Sequence, residues 1–377
     1  MIITRKIQVY VYDEDVDQKK NFIHTLYEWR DLTRRAANTI VAHKFVQQNI
    51  KDFIYIKDEM QDKFYVKDLL KEGKGMSEQN VTYKVCSEMC KGKMPSDIYS
   101  CLNQAVANTF KETLPDMLRG IASVRSYKNN IPIPFSKDAL SNIHWNAEDK
   151  RFYFTLFGIP FACALGRDRS NNEAVINRCI SGEYKMCSSS LQIDDRKKKM
   201  YLLLCCDIPK KEVKLKEGKK MYAYLGWFNP IVCTTEVIAK NDYDSGMKVY
   251  KIGTEEEFNH RRRQIQDAVR RCMINARYSA GGRGRKKKMQ SVERWHEKEN
   301  HYVDTKLHTY SRMLVDLAVK HQCSEIVLMK ETQREIFAKE ENENGRPLVL
   351  RNWSYYSLKS KIEYKSKMVG IKLTIEK

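Results

Sequence analysis

The sequence predicts a multidomain α+β protein in which a helical segment interrupts a β-rich one and an α/β segment follows. Apolar residues recur at helical spacing between residues 15 and 119. Short strand-like runs separated by turn clusters fill residues 120–212, and strands alternate with long helices from residue 213 onward. We therefore expect three domains: one formed by 1–14 with 120–212, one over 15–119, and one over 213–377.

The first predicted strand covers residues 1–12, where apolar and polar side chains alternate. The helical segment follows, because Phe22, Leu26 and Trp29 lie three or four residues apart, as on one face of a helix. Gly73–Gly75 and Gly92–Pro95 are turn-forming, so we expect breaks between helices there. Further strand-like runs predict a β-barrel or an open sheet that includes the first strand, at residues 131–134, 151–158, 184–193 and 200–208.

The last segment has the strand and helix order of an α/β domain. Strands are predicted at 249–252 and 325–329, around helices at 255–276 and 291–321. A further helix near 355–368 leads into a final strand at 371–375.

Composition narrows the class of protein. Hydrophobic residues make up 42% of the 377-residue chain, which argues against global disorder. No apolar run reaches the ~18 residues that cross a bilayer, and the first residues lack a signal-peptide core. Eleven cysteines form no recognisable disulfide framework. We expect reduced thiols, a cytoplasmic, nucleoid-associated protein and no membrane partner.

The formal net charge of +20 and the pI near 9.3 indicate a polyanionic partner, with nucleic acid the favoured one. Residues 258–290 hold eleven Lys or Arg residues against a single acid, Asp267. The alternative is a solvated helix face joined to a linker. We predict phosphate contacts from a helix and from the Gly-rich loop that follows it, at Arg261, Arg262, Arg263, Arg270, Arg271, Arg283, Arg285, Lys286, Lys287 and Lys288.

Several separate motifs, in order, carry a family resemblance. The longest runs from Arg277 to Leu328, and others are NWSYY at 352–356, IEYK at 362–365 and GIK at 370–372. Shorter ones are SYK at 126–128, RCISGEY at 178–184 and DDRK at 194–197. Together they resemble the miniature type V-F CRISPR effectors and the related TnpB transposon nucleases, most closely from residue 120 onward.

The resemblance implies a wedge-like β-barrel, an inserted helical recognition domain, and a truncated RuvC-like domain of ribonuclease H type that lacks the C-terminal zinc ribbon. It implies a guide RNA and target double-stranded DNA as partners. The matching motifs and the aromatic residue beside a lysine predict further nucleic-acid contacts at Tyr127, Lys128, Arg178, Arg196 and Lys197.

The resemblance also bears on catalysis. Two-metal cleavage needs clustered carboxylates, yet the motifs place Tyr224 and Met329 at two acidic positions and the chain end near Lys377 at the third. We therefore expect no enzymatic activity, no catalytic residue and no cofactor. The alternative is an enzyme that cuts with displaced acids or processes its guide RNA, the candidate acids being Asp242, Asp244, Glu331 and Glu335.

Cys86, Cys90 and Cys101 are a weak zinc candidate, since a CxxxC pair precedes a third thiol but no histidine lies nearby in sequence. The alternative is thiols that only pack between helices.

Together these observations predict a non-cleaving, RNA-guided DNA-binding protein that controls transcription by recruiting a sigma factor and RNA polymerase. One alternative is a repressor that blocks polymerase, and another is a general RNA-binding protein or a transposition adaptor. A homodimer on one guide is a further expectation from the resemblance.

Overall fold

The computed structural model describes residues 2–55, 78–166, 171–209, 213–226, 229–237, 248–277, 282–329 and 355–376. The chain divides into two compact units, Met1–Pro209 and Lys210–Lys377. The fold is a mixed α/β one, and the first unit contains both the predicted helical segment and the predicted β-rich segment.

The first unit contains an eight-stranded antiparallel sheet. Its strand order is β2-β7-β8-β1-β5-β4-β3, with β6 paired to β8. Its strands β1 to β8 are Ile2–Val11, Ile133–Phe135, Leu140–Asn146, Arg151–Leu156, Ile159–Cys163, Lys185–Met186, Ser189–Asp194 and Lys199–Asp207. The sheet curls into a half-barrel. Of the two predicted alternatives, a β-barrel and an open sheet, the described strands form the open sheet, because β2 and β3 are not paired with each other among them.

The predicted first strand lies inside this sheet. It pairs with β8 from Ile2 opposite Asp207 to Val9 opposite Met200, and with β5 at its other end. Ile7, Val9 and Val11 are buried, as the alternation predicts.

The run predicted over 151–158 is a strand and a hairpin turn. Phe157 and Gly158 have φ of +50° and +80°, the backbone that a two-residue hairpin turn needs. The chain therefore reverses into β5, a strand that the sequence analysis did not predict.

Three helices pack on the buried face of the sheet: α1 (Val16–Tyr55), α2 (Glu78–Cys90) and α3 (Ser96–Leu118). Leu26, Trp29 and Ile98 join the core with the inward residues of β1. The indole Nε1 of Trp29 donates to the carbonyl of Lys93 at 3.2 Å and fixes α1 against the turn after α2. A short helix, α4 (Asn172–Ile180), lies before β6 and was not predicted.

The second unit has a five-stranded sheet in the order β11-β10-β9-β12-β13. The pairs β11–β10 and β10–β9 are antiparallel, whereas β9–β12 and β12–β13 are parallel. The strands β9 to β13 are Lys216–Leu225, Ile231–Thr234, Tyr250–Ile252, Cys323–Leu328 and Lys372–Ile375.

Helices α5 (Glu255–Arg277), α6 (Gly282–Lys320) and α7 (Tyr355–Met368) pack with this sheet. The predicted Gly-rich loop is corrected, because α6 begins at Gly282, nine residues before the predicted start. Arg and Lys are good helix formers, and the run that follows Gly284 outweighs its cost of about 1 kcal/mol. Among the described residues, no helix is long and apolar enough to cross a membrane.

We predict that Gly253→Ala destabilises the second unit by about 2–5 kcal/mol. Gly253 has φ of +72°, and an added Cβ would lie 2.5 Å from Cε1 of the buried Tyr310. The shift of the urea-denaturation midpoint measures the effect. Gly370→Ala is the matched control in the same unit, because its φ is +78° with nothing within 4 Å, so strain alone costs about 1 kcal/mol. Equal shifts for the two variants would contradict the prediction.

Candidate nucleic-acid interface

A buried ion pair holds α5 against α6. Arg262, which is 4% exposed, donates from Nε to Glu299 Oε1 at 2.8 Å, and Gln266 Nε2 donates to the same oxygen at 3.0 Å. The guanidinium of Arg262 also lies over the ring of Phe258, 5.9 Å from its centroid. Arg262 was predicted to contact phosphate, and the structure gives it the role of joining two helices.

The other predicted arginines of α5 are exposed. Arg261, Arg263, Arg270 and Arg271 face solvent, as does Arg277 at the helix end. Arg263, Arg270 and Arg277 are seven residues apart, so they follow one side of the helix. Among the described residues, the only side-chain hydrogen bond recorded for these five joins Arg261 Nη1 to Gln264 Oε1 at 2.8 Å, and no carboxylate lies within salt-bridge distance.

The first turns of α6 continue the positive surface. Arg285, Lys286, Lys287 and Lys288 are exposed, and Lys288 Nζ lies 3.4 Å from the carbonyl of Asn275 on α5. The side chain of Arg283 lies outside the described residues. We call the exposed cations of α5 and α6 the basic hairpin: Arg261, Arg263, Arg270, Arg271, Arg277, Arg285, Lys286, Lys287 and Lys288.

A second cation of this unit is buried. Lys365 on α7 donates to Ser311 Oγ at 2.8 Å and to the carbonyl of His308, both on α6. Burial, together with the nearby Arg312 and Lys361, lowers the pKa of Lys365 to about 8. This lysine joins α7 to α6 and does not add to the basic hairpin.

In the first unit, Arg178 is already engaged. Its Nη1 donates to the hydroxyl of Tyr184 at 2.5 Å, and its Nε lies 3.5 Å from Glu183 Oε2. The hydrogen bond to the Tyr184 hydroxyl raises the pKa of Arg178, and its contacts with Tyr184 and Glu183 hold the guanidinium close to its own turn.

Tyr127 and Lys128 lie beside α1. Asn38 holds the backbone of Tyr127 from both sides, accepting from its N–H at 2.8 Å and donating to its carbonyl at 3.1 Å. The ring of Tyr127 is partly buried against the core, and Arg125 lies 5.3 Å above it. Lys128 is exposed.

Arg196 and Lys197 occupy the exposed turn between β7 and β8, where both backbone N–H groups donate to Asp194 Oδ1 at 3.1 Å. The neighbouring Asp195 accepts from Arg30 Nη1 at 2.6 Å, which ties this turn to α1. The two side chains thus extend from a fixed backbone.

The carboxyl edge of the second sheet brings together the positions predicted to have lost their acids. Ala223 lies opposite Leu328, and the N–H of Met329 donates to the carbonyl of Ala223 at 3.0 Å. Tyr224 and Met329 therefore end two adjacent parallel strands, with the Tyr224 side chain fully buried.

One carboxylate at this edge was not predicted from the sequence. Leu328 lies opposite Ile375, and the N–H of Glu376 donates to the carbonyl of Leu328 at 3.0 Å. Glu376 is exposed and follows the GIK motif by four residues, within the interval where the resemblance places an acid. The third acidic position was predicted near Lys377, which lies outside the described residues. The residue just before it, Glu376, is an acid.

The cysteines do not converge on a metal site. Cys86 and Cys90 are buried neighbours on α2, and Cys101 Sγ on α3 lies 3.9 Å from Asp97 Oδ1. Within the described ranges, no three His, Cys, Asp or Glu side chains are placed to hold a metal ion.

The comparisons with known proteins agree with these motifs. The chain is 29% identical over 277 residues to a CRISPR-associated endodeoxyribonuclease Cas12f1 from Sulfoacidibacillus thermotolerans, covering 70% of this chain and 61% of the relative. A Cas12f1 from Syntrophomonas palmitatica is 29% identical over 215 residues, covering 54% and 39%. The chain is homologous to Cas12f1, the type V-F CRISPR effector. The match thus spans about three fifths of the first relative's length, and the chain matches no protein-family model.

The solved Cas12f1–sgRNA–target DNA complex shares the fold, with a TM-score of 0.64 over 100% of this chain and 89% of that one, at 14% identity. The prediction that the protein is not an enzyme is wrong, because both curated relatives are named as endodeoxyribonucleases, which are enzymes. That prediction rested on the side chains of Tyr224 and Met329 and on the chain end near Lys377, whereas Glu376 places a carboxylate at the end of the third strand. The four alternative acids, Asp242, Asp244, Glu331 and Glu335, lie outside the described residues.

We predict that Arg262→Met destabilises the second unit by about 3–5 kcal/mol, because Glu299 would stay buried without its cation. Arg261→Met is the matched control, since Arg261 is the exposed neighbour, and we expect a change within about 0.5 kcal/mol. Chemical denaturation followed by circular dichroism measures both. A neutral effect of Arg262→Met on stability, together with weaker nucleic-acid binding, would return Arg262 to the set of phosphate contacts.

Proposed function

We propose that the protein is an RNA-guided effector that binds double-stranded DNA at sites matched to its guide RNA. The observation that carries the proposal is the basic hairpin, whose cations have no carboxylate within salt-bridge distance among the described residues, on a chain homologous to Cas12f1. Exposed cations without an ion-pair partner are suited to phosphates, and each phosphate contact releases a condensed counterion.

In such an effector, base pairing between guide and target reads the sequence, and the protein holds the heteroduplex through its backbone. The basic hairpin is proposed to supply backbone contacts from the second unit. Lys128, Arg196 and Lys197 are proposed to supply them from the first unit, because all three are exposed. Arg178 and Arg262 are left out, because both are engaged within the protein.

The second unit is proposed to be the RuvC-like domain of ribonuclease H type. Its sheet supports this assignment, since three antiparallel strands continue into two parallel ones and the ends of β9, β12 and β13 lie side by side. Cutting of DNA, the activity for which the relatives are named, would be located at this edge.

A role in transcription remains a prediction from the sequence. A protein held at a guide-matched promoter either blocks RNA polymerase or recruits it with a sigma factor. A homodimer on one guide is likewise a prediction, and the mass of the purified ribonucleoprotein would test it.

We predict that the ribonucleoprotein, purified with its co-expressed RNA, binds duplex DNA matched to that RNA at least about tenfold more tightly than DNA with mismatches in the seed. Gel-shift titration measures the difference, and denaturing gels of the same reactions with Mg²⁺ measure strand cleavage. Equal affinity for matched and mismatched duplexes would contradict guided recognition and leave only affinity for polyanions.

We predict that Arg270→Gln and Arg271→Gln each weaken nucleic-acid binding and reduce the slope of log K against log[salt] by about 0.9, the value for one phosphate contact on duplex. Arg312→Gln is the matched control on α6, because Arg312 is exposed but paired with Asp316 at 3.0 Å. Its slope should equal that of the unmodified protein. Unchanged slopes for Arg270→Gln and Arg271→Gln would remove the basic hairpin from the interface.

A further inference from the structure

The outer face of the first unit's sheet has a composition that the fold does not require. Along β1, Ile7, Val9 and Val11 are buried, so Lys6, Gln8 and Tyr10 alternate onto the opposite face. An exposed sheet face is commonly polar, yet this one has aromatic rings on four of its strands. We call this set the tyrosine face: Tyr10, Tyr12, His144, Tyr153 and Tyr201.

Four of these rings form one cluster. The strand register places Tyr10 opposite Ala162, Ala162 opposite Tyr153, and Tyr153 opposite His144. The rings of His144 and Tyr153 are stacked with centroids 5.7 Å apart, and Tyr12 meets Tyr153 edge to face at 5.0 Å. The small Ala162 thus separates aromatic neighbours on both sides.

Cations accompany these rings. The guanidinium of Arg151 lies 5.7 Å from the ring centroid of Tyr10 and donates to its hydroxyl. The ammonium of Lys6 lies 4.2 Å from the ring centroid of Tyr201 on β8. Cation–π contacts of this kind hold a positive charge beside a half-buried ring.

The ammonium groups of the two lysines donate to neutral side chains. Lys6 Nζ donates to Gln192 Oε1 and Lys199 Nζ donates to Gln8 Oε1, both at 2.8 Å, so each meets a neutral amide. The described residues give neither lysine a carboxylate within salt-bridge distance. Two acids lie among these strands: Asp194 is opposite Lys199 in the β7–β8 pair, and Asp149 accepts from the hydroxyl of Tyr153 at 2.6 Å.

We propose that the tyrosine face binds unpaired nucleotides of the guide RNA by base stacking, a proposal that rests on the proposed function and names a second surface for it. Every base has a flat π face, and aromatic side chains beside cations hold single strands through stacking and phosphate attraction together. RNA is the favoured strand, because proteins recognise it chiefly through unpaired bases stacked on aromatic rings. Tyr12, 41% exposed, and the half-buried Tyr201 present ring surface to such a base.

The test uses the full chain and fluorescence anisotropy with a labelled oligouridine of about ten nucleotides, against an RNA duplex of the same length. Tyr12→Ala and Tyr201→Ala should each weaken binding of the single strand about 5- to 150-fold, the cost of one lost stack. The affinity for the duplex and the salt slope should stay unchanged, because no phosphate contact is removed.

Two controls separate stacking from loss of structure. Tyr12→Phe and Tyr201→Phe keep the ring and should bind like the unmodified protein. Tyr83→Ala removes a ring of similar exposure, 38%, from α2, and should also bind normally. Unchanged affinity of the two alanine variants, or equal losses for single strand and duplex, would overturn the proposal. Tighter binding of oligodeoxyuridine than of oligouridine would overturn its assignment to RNA. Because no guide–target match enters this assay, its failure is distinct from failure of guided DNA binding.

Discussion

The positive surface of the second unit depends on the buried pair of Arg262 and Glu299. A buried ion pair costs desolvation energy that its own attraction only partly offsets, so its value lies in where it places other groups. Here the carboxylate of Glu299 accepts from both Arg262 and Gln266, which fixes the rotation of α5 against α6. With that rotation fixed, Arg263 and Arg270 are held on the exposed side of α5. Lys365 likewise fixes α7 against α6 through its hydrogen bonds to Ser311 and His308, and its burial there lowers its pKa.

At the carboxyl edge of the second sheet, backbone pairing likewise determines which residues lie side by side. The parallel register of β9, β12 and β13 is set by buried residues such as Met221 and Ile326, which lie opposite one another. That register places Tyr224, Met329 and Glu376 at the ends of three adjacent strands, whatever their side chains. The chemistry of the edge is therefore determined separately from the fold, by which carboxylates reach it.

Local sequence patterns predicted the helices and strands whose formation depends on residues close together in the chain. The alternation in β1 and the periodicity of α5 and α7 depend on residues close in sequence, and these elements appear where they were predicted. The start of α6 was missed because the glycines near 282 were interpreted as a loop, although the basic run favours a helix. The burial of Arg262 depends on Glu299, 37 residues away, so sequence patterns alone did not distinguish it from Arg261 and Arg263. Glu376 was missed because the third acidic position was assigned to the chain end near Lys377 and not to the acid just before it.

The two proposed surfaces would recognise nucleic acid by different physics. A net charge of +20 attracts any polyanion, single-stranded or double-stranded, and does so less as salt rises. Stacking requires a base that is not already stacked or paired, so the tyrosine face would prefer unpaired RNA and retain that preference at high salt. A guided protein needs both properties. It must hold its guide in a defined place among many competing polyanions, and it must still hold a long heteroduplex without reading its sequence. Charge alone gives affinity without that selection, so on these proposals the tyrosine face of the first unit would add what the basic hairpin of the second does not supply.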